Sequence, residues 1–124
     1  MTGNPTLRSV RLRPEWQTGP LWTTTDQDRF SDNNATPETM SEEFAVSSQL
    51  TQEIAEWDRE FQQIFDPEDP LSSDFPDEAT EQRWRERGRQ LAGRLAEELG
   101  PHVRVTYFKE VVQQGAESSE QHDD

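Results

Sequence analysis

The sequence predicts an α+β domain in which a small antiparallel sheet of about three strands carries two helices on one of its faces. Two apolar patterns predict this class. Apolar residues recur every three to four positions in 50–64 and 91–99, with Trp84 two helical turns before Leu91, which is typical of half-buried helices. They alternate with polar residues in 7–13 and 103–107, which is typical of strands with one buried face. The predicted order of elements is therefore ββααβ.

The first two strands are predicted to form a hairpin. The alternating pattern of 7–13 ends at Pro14, because proline cannot donate to a strand ladder. A Gly-Pro pair at 19–20 marks a turn, and the aromatic and β-branched residues of 21–25 predict a second, shorter strand. The polar and acidic residues 26–43 that follow are predicted to form one long loop.

Both predicted helices have recognisable ends. Ser47 or Ser48 can cap the first helix, and Asp66-Pro67 ends it. Asp77 can cap the second helix, and Gly100-Pro101 ends it. The apolar faces of the helices are predicted to pack against each other and onto the sheet; their members are Leu50, Ile54, Trp57 and Phe61, with Trp84, Leu91 and Leu95, above Val10, Leu12, Val103 and Val105.

Gly88 and Gly93 lie inside the second predicted helix, where each glycine costs about 1 kcal/mol relative to alanine. We therefore expect another part of the backbone to pack closely against both positions.

One domain is predicted over 7–112, between a flexible N-terminus at 1–6 and a disordered acidic tail at 113–124. The chain has no cysteine and no apolar run of the roughly 18 residues that a membrane span needs, so a cytoplasmic protein that does not bind membranes is expected. The sequence leaves the oligomeric state open.

The charge is strongly acidic and unevenly distributed. The formal net charge is −14, and 26–81 contains seventeen acidic residues against two arginines. A field of this sign opposes contact with phosphates, so no nucleic-acid partner is expected. It favours a basic protein partner.

The sequence shows no pattern typical of a catalytic, cofactor or metal site. The two histidines, His102 and His122, have no partner at metal-ligand spacing, and the glycines form no phosphate-binding loop. The acidic run in 66–78 lacks the glycine and the spacing of a calcium loop. The arginines of 83–94 spread around their helix, which favours internal pairing with acidic neighbours. We therefore expect no enzyme, no cofactor and no metal.

A protein-binding module is the predicted function, and four residues are the candidate partner-binding side chains. Glu53, Glu56 and Glu60 lie on the polar face of the first helix, and Trp22 lies in the second strand, where it can serve as an exposed recognition residue. Acidic inhibitors gain association rate and specificity from such charged faces.

The layout of the chain also resembles a known group of proteins. The segments that carry the likeness, within about 8–108, are Val-Arg-Leu-Arg-Pro-Glu-Trp at 10–16, Pro-Leu-Trp at 20–22, the helix from Trp57 to Phe65, Phe75-Pro76, and Arg87-Gly88-Arg89 through Leu99-Gly100-Pro101. They resemble small acidic proteins of uncharacterised function in actinobacteria, some of which look like immunity proteins of toxin systems. The resemblance implies a cytoplasmic, non-enzymatic inhibitor of a protein partner and assigns no functional residue.

Two alternatives from other classes stay open. One is a small enzyme that uses the carboxylates of 66–78, which requires a concave pocket that holds at least two of them. The other is a structural or regulatory subunit that pairs with itself through the helix face containing Gly88 and Gly93.

Overall fold

Strands and helices follow one another as three strands, three helices and two strands in residues 6–64, 68–69 and 74–115, which the computed structural model describes. The elements are β1 (Leu7–Leu12), β2 (Leu21–Thr25), β3 (Asp28–Ala35), α1 (Pro37–Phe44), α2 (Ser48–Gln62), α3 (Glu78–Leu99), β4 (Arg104–Tyr107) and β5 (Glu110–Gln113). The α+β class is confirmed.

The strands form one sheet in the order β3-β2-β1-β4-β5. The outer pairs are antiparallel, but β1 and β4 run parallel at the centre, with Val10 opposite Val105. The prediction of about three antiparallel strands and two helices is therefore wrong in detail. The parallel pair forms because the helices between β3 and β4 return the chain to the end of the sheet at which β1 begins.

The predicted loop over 26–43 is also wrong, because β3 and α1 occupy most of it. β3 is an edge strand whose sequence is mainly polar, so it shows none of the alternation that marked the other strands. Its pairing with β2 is reinforced by the Asn34 amide, which donates to the carbonyl oxygens of Gly19 and Leu21 at 2.8 and 3.2 Å.

Helix α1 was missed because it is short and buries a single side chain deeply. The Thr36 hydroxyl caps it by accepting from the amide of Thr39, and Pro37 fills the first helical position. Met40 is completely buried, and Ala45 ends the helix in the left-handed conformation. The sequence thus contains the cap residues of this helix, but one buried residue cannot produce a helical periodicity of apolar residues.

Helices α2 and α3 begin at two of the predicted caps. The Ser47 hydroxyl accepts from the amide of Leu50 at 3.2 Å, and it donates to the Glu98 carboxylate of α3 at 2.7 Å. Asp77 accepts from the amide of Thr80 at 2.7 Å. The bond from Ser47 to Glu98 also joins the start of α2 to the end of α3.

A stacked pair of tryptophans at the centre of the core holds α2 against α3. The rings of Trp57 and Trp84 lie 4.4 Å apart and 8° from parallel. Each indole N–H donates to the main-chain carbonyl of the other residue, at 2.8 Å from Trp57 and 3.0 Å from Trp84. Both buried donors are therefore satisfied. The predicted helix seam is confirmed, and the buried residues around it include Val10, Leu12, Leu21, Leu50, Ile54, Leu91, Leu95, Val103 and Val105.

Gly88 and Gly93 differ sharply in their surroundings. A Cβ atom added to Gly88 lies 2.4 Å from Cζ2 of Trp57 and 2.6 Å from the hydroxyl of Tyr107, so this position must be glycine for α3 to approach the core. A Cβ on Gly93 meets nothing within 4 Å. Another part of the chain does approach Gly88 closely, but through the side chains of Trp57 and Tyr107 and not through backbone as expected, and the expectation is wrong at Gly93. Because Gly88 is buried inside the chain, it is not available to a second copy.

Tyr107 gives the core a pH dependence. Its side chain is buried, its hydroxyl donates to the carbonyl of Arg85 at 2.8 Å, and burial raises its pKa to about 12. An unfolded tyrosine has a pKa of about 10, so at a pH between these values the unfolded state releases a proton that the folded state keeps. We therefore expect the free energy of unfolding to be unaffected by this group below about pH 10 and to fall by about 2 kcal/mol by about pH 12.

Denaturant unfolding across this pH range measures the effect, and Tyr107→Phe is the control that should lack it. The chain has one tyrosine, so the absorbance change of tyrosinate reports on Tyr107 alone. If the absorbance titration of the folded protein had its midpoint at the ordinary pKa of tyrosine, the buried, hydrogen-bonded position of the Tyr107 hydroxyl would be contradicted.

Several predicted segments fall on residues beyond those described. Residues 1–5 of the predicted flexible N-terminus and 116–124 of the predicted tail lie outside the described residues, as do 65–67 and 70–73 of the connector before α3. Gln113, the first residue of the predicted tail, belongs to β5. No helix in the described part of the chain is both long and apolar enough to cross a membrane.

Candidate protein-binding surfaces

Glu53 of α2 is engaged within the chain. Its Oε1 accepts from Nη1 of Arg94 at 2.7 Å, and this hydrogen bond lowers the pKa of the Glu53 carboxyl. The pair joins the polar edges of α2 and α3. Glu53 therefore keeps its charge to a lower pH than an ordinary glutamate, but its carboxylate already has a cationic partner.

Glu56 and Glu60 share one cation. Nη2 of Arg87 lies 3.8 Å from Oε1 of Glu56, and Nη1 of Arg87 lies 3.7 Å from Oε2 of Glu60. Both glutamate side chains stay about half exposed, at 52% and 53%. Two carboxylates held loosely by one guanidinium leave a net negative charge that a partner can reach.

Helix α1 carries further negative charge. Glu38 and Glu42 are exposed, and α1 has no basic residue in its last turn. Within the residues that the structure describes, no cationic side chain is paired with either of them. We define the acidic surface as Glu38, Glu42, Glu53, Glu56 and Glu60, on two helices that pack against each other.

The arginines of α3 are largely paired inside the chain. Arg87 and Arg94 face α2, as described above. Arg89 contacts Glu86 at 3.0 Å and Glu110 of β5 at 3.1 Å. The internal pairing that the sequence favoured for this run is confirmed at these three positions and at Arg85, which pairs with Glu81 at 3.0 Å, so carboxylates offset most of its positive charge.

Trp22 lies on the opposite side of the molecule from the acidic surface. Its strand neighbours Leu21 and Thr23 are buried, whereas Trp22 points to the face of the sheet that the helices leave uncovered. It is half-buried, and its indole N–H donates to the carbonyl of Arg13 at 3.0 Å. The structure thus brings the three predicted glutamates together but separates them from Trp22.

Trp16, the other tryptophan near the hairpin, packs against a helix. Its ring stacks on that of Phe61 with 5.4 Å between centroids and 18° between planes. Trp16 therefore closes the end of the core beside α2.

The uncovered face of the sheet was not recognised in the sequence as a candidate site. Register places Arg11 of β1 beside Trp22 of β2 on one side and Thr106 of β4 on the other, and Thr106 beside Val111 of β5. The signal was present in the alternation of each strand, because the residues between buried ones share this face. What the sequence could not give was the order of the strands.

The described residues contain no group of three or more histidine, aspartate or glutamate side chains that could hold a metal ion. His102 is exposed. In the connector, Glu68, Asp69 and Asp74 are exposed, and the other residues needed to judge a carboxylate pocket lie outside the described ranges.

Comparison with protein families gives a match that covers most of the chain. A family described as Serratia CdiI immunity protein-like matches residues 8–110, which include both the acidic surface and Trp22. No curated protein matches the chain. The family match confirms the part of the resemblance that concerns immunity proteins of toxin systems.

Proposed function

Because the chain belongs to the Serratia CdiI immunity protein-like family, we propose that it is an immunity protein that binds a toxin protein and blocks its activity. The family match over residues 8–110 carries this proposal, since it spans the described helices and all but the first residue and the last three residues of the sheet. Inhibition by binding requires a complementary surface and no catalytic residue on the inhibitor, which fits a chain whose best-defined features are charged surfaces.

We further propose that the toxin is basic and docks on the acidic surface of α1 and α2. Glu56 and Glu60 share a single arginine and are about half exposed, and Glu38 and Glu42 add exposed charge on α1, which packs against α2. The net charge of −14 gives the whole molecule a field that attracts a basic protein from a distance. Such steering raises the association rate and disfavours partners of the wrong charge.

Reversing two charges tests the docking surface. We expect the double variant Glu56→Lys with Glu60→Lys to bind the toxin domain with an association rate lowered about tenfold at low salt, because steering is lost. The wild-type association rate should fall as salt is added, and that of the variant should change less. Stopped-flow mixing at two ionic strengths measures both quantities.

Glu86→Lys with Glu97→Lys is the matched control. It makes the same change of charge on exposed residues that lie eleven positions apart on one side of α3. The proposed docking surface would be wrong if toxin binding were tight but insensitive to salt and if both double variants changed it equally. The immunity function itself would then stand, with another face of the chain as the site.

A further inference from the structure

The uncovered face of the sheet presents a row of side chains, one from each strand. In order across the sheet, the row consists of Asn34, Trp22, Arg11, Thr106 and Val111. Val111 is 39% exposed. Among the described residues, no other large hydrophobic side chain is exposed. We call this row the open sheet face. Trp22 and Arg11 are neighbours in this row, and the buried Thr106 separates Arg11 from Val111. Tryptophan, arginine and apolar residues on one surface are the composition found at the centre of protein interfaces.

The open sheet face is basic, although the molecule as a whole is acidic. Arg11 donates from Nε to the hydroxyl of Thr106 at 3.3 Å, which orients its guanidinium along the face. In the described part of the chain no carboxylate pairs with Arg11. Arg11 is half-buried, whereas Arg104, the neighbouring residue on this face of β4, is exposed and lies opposite Ser9.

A groove continues this basic region at the end of the sheet. It has a volume of about 450 Å³, and its lining consists of Arg11, Arg13, Arg85, Phe108 and Lys109. Arg13 pairs with Glu15, and Arg85 pairs with Glu81 at 3.0 Å while its guanidinium lies 5.3 Å from the centre of the Phe108 ring. Four cations against two carboxylates leave the groove positively charged.

We propose that the open sheet face and its groove bind an acidic segment of a partner protein that also carries apolar side chains. The cations match carboxylates, and Trp22 and Val111 match apolar side chains. A nucleic acid would match the cations alone, and a net charge of −14 repels a polyanion that extends beyond the face. An acidic segment of limited length avoids most of that repulsion, because charges beyond the Debye length are screened.

This surface is separate from the one proposed for the toxin. The acidic surface lies on the outer side of the helices, and the open sheet face lies on the other side of the sheet. One rigid partner that covers the first cannot cover the second. The chain can therefore hold two partners of opposite charge at the same time, and this inference does not depend on the identity of the first.

Selection from a peptide library provides the test. Random dodecapeptides displayed on phage are panned against the immobilised full-length chain. We expect the enriched peptides to carry several aspartates or glutamates and at least one large apolar residue. Binding of a synthetic copy is then measured from the fluorescence change of the full-length chain. Arg13→Glu with Lys109→Glu should weaken it about tenfold or more, since both replaced residues are exposed cations of the groove.

Three comparisons make the test decisive. Trp22→Ala should also weaken the peptide, while Glu56→Lys with Glu60→Lys, on the opposite side, should leave its affinity unchanged. Urea unfolding of every variant shows that a loss of binding is not a loss of fold. Enrichment of peptides without acidic residues, or equal binding to the groove variant, would overturn the proposal. The proposal would also be overturned if the chain bound an oligothymidylate probe and no acidic peptide. Self-association of the chain that the groove variant abolishes would overturn it as well.

Discussion

The free energy of unfolding is expected to fall by about 3–5 kcal/mol when Trp57 is replaced by alanine. Trp57 is completely buried, and its ring stacks on Trp84 at 4.4 Å and contacts the ring of Tyr107 at 6.2 Å. The replacement leaves a large cavity between α2 and the sheet, and it also leaves the carbonyl of Trp84 without the indole donor at 2.8 Å. A domain of this size has only about 5–15 kcal/mol of net stability, so the variant should be marginal.

Trp22→Ala is the matched control for this experiment. The residue type and the change are the same, but Trp22 is half-buried on the uncovered face of the sheet. Its replacement should cost much less, because less apolar surface is returned to water. The loss of stability in the two variants is compared from their urea midpoints, provided that the dependence of the free energy of unfolding on urea is unchanged. If the two variants lost equal stability, Trp22 would be a core residue and its assignment to a binding face would be wrong.

Gly88→Ala should destabilise the protein by about 1–3 kcal/mol, although alanine is the better helix former. The added methyl group lies 2.4 and 2.8 Å from two ring atoms of Trp57 and 2.6 Å from the Tyr107 hydroxyl. The Trp57 ring is held by its stacking and its hydrogen bond to Trp84, so it cannot move aside cheaply. Helix α3 must then move away from the core, which loosens packing along its length.

Gly93→Ala in the same helix should change stability in the opposite direction. Its methyl group meets nothing within 4 Å, so the substitution keeps the helix and removes the flexibility of glycine from the unfolded chain. We expect a gain of about 0.5–1 kcal/mol. Thermal or urea unfolding of the two variants shows whether each substitution raises or lowers the free energy of unfolding. Destabilisation of similar size at both positions would show that helix propensity or a shared interface, and not contact with Trp57, governs these glycines.

The two long helices could be predicted from the sequence because each has a cap residue and several turns of apolar periodicity. The short edge elements could not. The sequence of β3 is mainly polar and lacks alternation, and α1 places only Met40 deep in the core. The central parallel pairing was also missed, because Ser9 and Arg104 are neighbours across β1 and β4 but lie far apart in the chain. Local patterns do not encode such partners.

The candidate site was predictable to a similar extent. Helix periodicity correctly placed Glu53, Glu56 and Glu60 on one side of α2, but it could not show that Arg87 and Arg94 of α3 reach across to them. Alternation with Leu21 indicates that Trp22 points away from the core. Only the position of the helices on the sheet shows that Trp22 and the glutamates are on opposite sides of the molecule.

Titration of toxin activity with the purified chain tests the central claim most directly. A candidate toxin domain is assayed at a fixed concentration while the chain is added. We expect activity to fall in proportion to the added chain and to reach its minimum at an equimolar ratio, as tight binding requires. Glu56→Lys with Glu60→Lys should need an excess to reach the same inhibition. Full toxin activity in a large excess of the folded wild-type chain would contradict the proposal that it is an immunity protein for that toxin.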